Sequence, residues 1–301
     1  MARKMRRFIL GLGLTLLLSG CMNTVSENTQ DELEDQYASV QEYKGEGYAL
    51  ENGKKNDKMA TKHRGEIEGA VKTFFLDRYH TKVKVHNIVG NMEGATVFIE
   101  STGPLSFYSY AMVPITGGEV QTDEVWSQEG QVESAITDGL YQQMFDEEFR
   151  QLDRFLESFV MEGGVVGRTV ESLGNVGGDG YMTPYYFIST SPLEDEAIRP
   201  VFNLYMKAPD SSIEELRTVF KEEAFNPENV RISIMLFMKE EGVQPSEKVF
   251  KQLIKNVETL DGIPKGAYSI FINDNRVHKE SYEGVKDNSL ERAYPNEIIK
   301  K

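Results

Sequence analysis

The chain has 301 residues, 33 Lys and Arg against 48 Asp and Glu, a net charge of −15 and one cysteine. That acidity argues against nucleic acid, whose binders carry a basic face, and against a body lying on an anionic membrane, which attracts basic segments. A lone cysteine leaves no internal disulfide, so the body must hold together by burial.

Arg3, Lys4, Arg6 and Arg7 precede the eleven-residue apolar run Phe8 to Leu18. A basic start, a short apolar stretch and small residues at a cleavage site make a secretory signal. The run falls short of the roughly 20 residues of a spanning helix. Leu18-Ser19-Gly20-Cys21 follows it and resembles the lipobox of bacterial lipoproteins, which is cut before an acylated cysteine. The expectation is a signal peptide over residues 1–20 and a lipidated Cys21, carrying palmitate, at the mature N-terminus. Stable anchoring takes two membrane signals, each buried methylene contributing about 0.8 kcal/mol; a diacylglyceryl group supplies both chains. Loss of the four bases takes the net charge from −15 to −19. Repulsion then holds the body off the lipid within a Debye length of about 8–10 Å. The same charge also serves solubility. The absence of disulfides leans toward a Gram-positive envelope.

Residues 22 to about 41 contain Glu27, Asp31, Glu32, Glu34 and Asp35 and no base. Few apolar residues and one sign of charge predict disorder. Residues 21–57 therefore read as a tether with an extended lead-in through Tyr43 to Tyr48. From Met59 to His80, Ile67, Ala70, Val71, Phe74 and Phe75 share one helical face. Three period-two runs follow, around Val83–Val89, Ala95–Ile99 and Leu105–Val113, joined by short glycine turns. They predict an antiparallel meander. Gly130 to Met161 reads as two helices or one kinked helix, ended by Gly163-Gly164.

Gly174-Asn175-Val176-Gly177-Gly178-Asp179-Gly180 is the most glycine-dense segment and leads through Tyr181 to Tyr185 and Tyr186. It is the expected boundary between a first α+β half, residues 58–173, and a second, residues 174–301. The second half repeats helix and strand. It carries a capping box at Ser211-x-x-Glu214, strands over Val230–Met238 and Ala267–Ile272, a hairpin turn at Asn273-Asp274-Asn275, and a loose tail. The fold class expected is α+β, a mainly antiparallel sheet packed against helices.

The lipobox, Tyr43-Lys44-Gly45-Glu46-Gly47-Tyr48, Val85-His86-Asn87-Ile88-Val89-Gly90-Asn91, Trp126-Ser127-Gln128-Glu129-Gly130-Gln131-Val132 and Asn175-Val176-Gly177-Gly178 together resemble a family of uncharacterised Gram-positive lipoproteins, domain of unknown function 1672. The resemblance covers nearly the whole chain. It implies tethering at the cell surface and brings no activity, cofactor or catalytic residue.

The residues themselves point to no metal or cofactor. His63, His80, His86 and His278 show no ligand spacing; zinc needs three or four ligands, and His80 and His86 read as a helix cap and a solvent-face side chain. Asp179 and Asp274 lack the calcium-loop pattern. Gly-x-Ser-x-Gly and Ser-x-x-Lys are absent. Acidic clusters such as Asp146-Glu147-Glu148 read as solvated faces. Tyrosines beside glycines suit binding of another molecule, so Gly177, Gly178, Asp179, Gly180, Tyr181 and Tyr185 form the candidate ligand surface, set against a plain connection between halves. The function expected is a binding or interaction module on the outer face of the cytoplasmic membrane, with an envelope protein or glycan as partner. An envelope hydrolase with a dispersed site is the alternative.

Overall fold

The computed structural model describes residues 36–176, 178–190 and 195–301. The lipobox, Cys21, residues 22–35 and Gly177 lie outside them. Strand β1 (Tyr37–Ser39) pairs antiparallel with Arg276–His278, and Val40, donating its N–H to the Asn275 carbonyl at 2.8 Å, is buried. Residues 36–40 are thus part of the body, although composition assigned them to the tether. Tyr37, Ala38 and Val40 supply what the acidic stretch before them lacks, apolar surface to bury. Burying one valine is worth roughly 1.5–3 kcal/mol, and each hydrogen bond adds about 1 kcal/mol. A mature chain shortened to begin at Gln41 is therefore expected to lose about 2–4 kcal/mol against one beginning at Gln36. Thermal melts of the two compare them directly, and equal melting temperatures would return residues 36–40 to the tether.

The first helical stretch is two helices, α1 (Lys54–Lys62) and α2 (Arg64–Tyr79), broken at His63. Ile67, Val71, Phe75 and Tyr79 are the buried stripe of α2. His80 ends it in the left-handed conformation, φ 54°, with its N–H on the Leu76 carbonyl. The meander follows: β2 (Val83–Gly90), β3 (Gly94–Ser101), β4 (Tyr108–Thr116) and the short β5 (Glu119–Val120), antiparallel and in chain order. A register shift lies between Val85 and Ile88.

The stretch beyond the meander is two helices that meet at Phe145, α3 (Gln131–Met144) and α4 (Asp146–Gly163). Helix α3 is buried on several sides, from Val132 through the run Ala135–Tyr141 to Met144. A helix covered all round belongs in a core, and α3 packs against β4, α4 and three later elements given below. Strand β6 (Val165–Val166) and α5 (Val170–Asn175) lead to β7 (Tyr186–Thr190).

Helices α6 (Arg199–Lys207) and α7 (Ile213–Val219) come next. The capping box of α7 is Ser212 with Glu215, one residue later than the pattern suggested. Then β8 (Val230–Met238), α8 (Glu247–Thr259) and β9 (Gly266–Asn273) form a parallel crossover. Asn273-Asp274-Asn275 is no hairpin turn. Strand β10 (Arg276–His278) leaves β9 to pair with β1, while the Asn273 and Asn275 side-chain amides bond the carbonyls of Leu236, Met238 and Lys239. The tail, expected to be loose, returns as β11 (Leu290–Arg292) and β12 (Ile298–Lys300), both antiparallel to β9. The second sheet holds β6, β7, β8, β9, β11 and β12. Helix α3 touches β7, α6 and α7, and its Tyr141 hydroxyl donates to the Lys265 carbonyl beside β9 at 2.8 Å.

The protein is α+β, with mainly antiparallel sheets against eight α-helices among the described residues. The two expected halves share one hydrophobic cluster, which runs from Val71, Val97 and Ala111 through Ile136 and Leu140 to Ile232 and Ile270. No helix among the described residues is long and apolar enough to cross a membrane.

Candidate functional site

The glycine-rich segment is held by β4 and α3. Tyr108 and Gly180 exchange backbone hydrogen bonds at 2.8 and 2.9 Å, and the Tyr181 carbonyl accepts from the Ile188 N–H at 3.0 Å. Bare backbone is needed here because the chain itself closes on it. A Cβ on Gly178 would stand 2.6 Å from the Leu173 carbonyl oxygen and 2.9 Å from the Tyr108 Cβ. Gly180 has φ +87°, and a Cβ there would meet Asp138 Oδ2 at 2.2 Å. The tyrosines pack inward. The Tyr181 ring lies 6.1 Å from Phe149 and 6.3 Å from Tyr186, and burial pushes its phenol up to about 12. Tyr185 is half-buried against the core. The structure therefore brings Gly178, Asp179, Gly180, Tyr181 and Tyr185 together, with contacts to the chain itself that account for the glycines.

Two carboxylates sit under this segment. Asp138, from the buried run of α3, accepts the Thr190 N–H at 2.8 Å. Burial raises its carboxyl well above the usual range, the neighbouring Asp179 adding to the rise against the Thr190 hydrogen bonds. Asp179 is a surface residue whose carboxylate turns onto Gln131 Nε2 at 3.0 Å and Ser109 Oγ at 3.4 Å. Loss of water around that carboxylate outweighs these two hydrogen bonds and a third from the Gly180 backbone, and pushes it up to about 6. An acid whose folded pKa lies above its unfolded value of about 3.9 leaves the native state holding the proton over that interval. Stability is then full below the unfolded value and declines as pH rises through the folded one. Melting temperature is expected to climb as pH falls from about 6.5 to 4.5, with a shallower climb in Asp179→Asn. A wild-type melt that drops over that interval would reject this account.

Neither His80 nor His86 joins a ligand set. His80 is exposed at the end of α2, and His86 Nε2 lies 2.9 Å from Glu100 Oε2. Among the described residues, no three His, Cys, Asp or Glu side chains converge as a metal site.

A different place offers room. A cleft of about 550 Å³ is lined by Met144, Phe145, Glu147, Glu148, Arg217, Phe220, Glu222, Phe225 and Lys265. These residues come from the α3–α4 junction, the end of α7, the turn Glu222–Ala224 beyond it, and the approach to β9. Its aromatic wall is continuous. Phe145 stands edge-on to Phe220 at 5.6 Å, Phe220 meets Phe225 at 5.6 Å, and Phe225 stacks on the buried Tyr141 at 6.0 Å. The cations are engaged: Arg217 donates Nε to the Met144 carbonyl at 2.9 Å, with Nη2 on the same oxygen, and Lys265 pairs with Glu222 at 3.2 Å. Two wider hollows, of about 840 Å³ at residues Tyr48–Lys54 and 640 Å³ along α2, are more open and hold one aromatic residue each.

The sequence hid this cleft because its parts are scattered. Phe145 lies inside the stretch read as helical, Phe220 stands about 75 residues further on, and Glu147 and Glu148 looked like one more solvated acidic run. The one local signal was the paired pattern Phe-Asp-Glu-Glu at Phe145 and Phe-Lys-Glu-Glu-Ala-Phe from Phe220 to Phe225, aromatic residues next to acid outside any regular period.

A family model described as protein of unknown function, DUF1672, matches residues 30–300. The chain belongs to the DUF1672 family. A second model, the prokaryotic membrane lipoprotein lipid attachment site, matches residues 5–21 and ends on Cys21. This DUF1672 protein is accordingly a lipid-anchored membrane lipoprotein. It is similar to a DUF1672 family protein from Staphylococcus aureus subsp. aureus Mu50, known from a crystal structure. That likeness has 15% sequence identity and a TM-score of 0.70, and covers 88% of this chain and 98% of the other. At that identity it speaks for the fold. No curated protein matches the chain.

Proposed function

We propose that this DUF1672 protein is a binding module displayed on the outer face of the cytoplasmic membrane, and that the cleft between Phe145, Phe220 and Phe225 is where it binds. The observation that carries this reading is the cleft itself, an aromatic wall with polar groups converging from four parts of the chain, the usual make-up of a ligand site. Aromatic rings give large contact area at low entropic cost. The signal peptide and acylated Cys21 support the outer face as the place of work. The hydrolase alternative gains nothing from the carboxylates with shifted protonation, since Asp138 and Asp179 do not line the cleft.

A thermal-shift screen of the full lipidated chain in nonionic detergent tests the reading, using envelope glycans, short envelope peptides and polyamines. A ligand at about 100 times its Kd should stabilise by about 2.7 kcal/mol. One class is expected to raise the melting temperature, and Phe220→Ala is expected to erase that gain. A gain that survives Phe220→Ala puts the binding elsewhere, and no gain from any class overturns the module.

A further inference from the structure

The charges around the cleft do not balance. The lining holds three carboxylates, Glu147, Glu148 and Glu222, against two cations; Lys265 is taken up by Glu222 at 3.2 Å, and Arg217, still charged, is oriented through two nitrogens onto the last carbonyl of α3. Asp146, at the start of α4, is paired with Arg150 at 2.6 Å. Glu147 and Glu148 remain at the lip with no hydrogen bond or ion pair among the described residues, Glu147 exposed and Glu148 half-buried. Both lie in the first turn of α4, where the helix dipole favours an anion. That explains why carboxylates are tolerated there, yet it does not require two that also line an aromatic cavity. Burial raises the Tyr141 phenol behind Phe145 and Phe225, and the Glu148 charge adds to that rise.

Resting on the reading of the cleft as a binding site, we propose that its ligand carries an ammonium group, an amine-bearing side chain or small cationic molecule. The ammonium would lie against the rings of Phe145 and Phe220 with Glu147 and Glu148 as counter-charges. Aromatic faces attract cations through their quadrupole, by about 0.5–1 kcal/mol at exposed sites and more when water is excluded. A carboxylate at the lip adds Coulomb attraction that the ring alone lacks. The acidity of the whole chain draws cations toward it. An anionic ligand would have to displace Glu222 from Lys265 or share Arg217 with the Met144 carbonyl, and would meet Glu147 and Glu148 on the way.

The test uses the full lipidated chain in nonionic detergent, with binding followed by NMR line positions of labelled phenylalanine. The probes are Nα-acetyl-lysine amide, its Nε-acetylated neutral counterpart and Nα-acetyl-glutamate amide. The lysine probe is expected to shift the Phe145 and Phe220 signals, with a Kd that rises about fivefold or more in the double variant Glu147→Gln, Glu148→Gln and again at high salt. Both substitutions are at the rim and leave the rings in place. If the neutral probe shifts the same signals equally, the cleft binds but recognises no ammonium, and this proposal fails while the site stands. Preferential binding of the glutamate probe has the same consequence. If no probe moves those signals, both the ammonium proposal and the cleft as its site are overturned.

Discussion

Gly180→Ala is expected to destabilise the protein by about 2–5 kcal/mol, combining roughly 1–2 kcal/mol for a left-handed non-glycine residue with about 1–3 kcal/mol for overpacking. The backbone there has φ +87°, and the added methyl would fall 2.2 Å from Asp138 Oδ2 and 3.0 Å from the Ile188 carbonyl oxygen. Neither neighbour yields easily. Asp138 is fixed in buried α3 by the Thr190 N–H, and Ile188 sits within β7, paired to β8. For a body of this size the melting temperature should fall by roughly 5–15 °C. Gly118→Ala is the control: its φ is also +87°, but nothing lies within 4 Å of the added carbon, so it should show the conformational cost alone. Equal losses at the two positions would mean that the contact with Asp138 contributes nothing. An unchanged melt for Gly180→Ala, together with loss of a ligand, would restore the glycine segment as a recognition surface.

Cys21→Ser is expected to abolish lipid attachment completely. The attachment-site match ends on this residue, and no second cysteine exists in the sequence to take its place. A hydroxyl in place of the thiol removes the acceptor for the diacylglyceryl group. With it go both acyl chains, each worth about 0.8 kcal/mol per buried methylene. Labelled palmitate should enter the wild type and be absent from the variant, and intact mass should show the variant still carrying residues 1–20. Equal labelling of the two would place the lipid on another residue and sink the anchor reading.

Much of the fold was legible because its signals are local. The meander β2–β4 could be read from alternation between Val83 and Val113, since a strand's side chains change face at every residue. The face of α2 could be read from Ile67, Val71 and Phe75 by helical spacing. The misreadings came where a local pattern left the partner open. Asn273-Asp274-Asn275 has the composition of a hairpin turn, but the strand beyond it pairs with β1, more than 230 residues earlier in the chain. Ser211 and Ser212 are both followed three residues later by glutamate, and it is Ser212 and Glu215 that close the reciprocal bonds.

The candidate site divides in the same way. Glycine density between Gly174 and Gly180 reads as a surface for another molecule. It could not say that the neighbour there is Asp138 or Tyr108 of the same chain. The cleft was invisible because an aromatic side chain reads as core wherever it stands, and because Phe145, Phe220, Phe225 and Lys265 meet only when α3, α7 and the approach to β9 are brought together.

By itself, then, the sequence determined the anchor and the parts: a basic start, a short apolar run and Cys21 specify a lipid attachment site, and two periodicities specify strands and helices. The tertiary structure alone decided that residues 36–40 belong to the body, that both halves share the core around α3, and which charges at the cleft stay unpaired. The physical reason is that periodicity states which face of an element leaves water, whereas the partner it meets there is set by contacts between residues far apart in the chain.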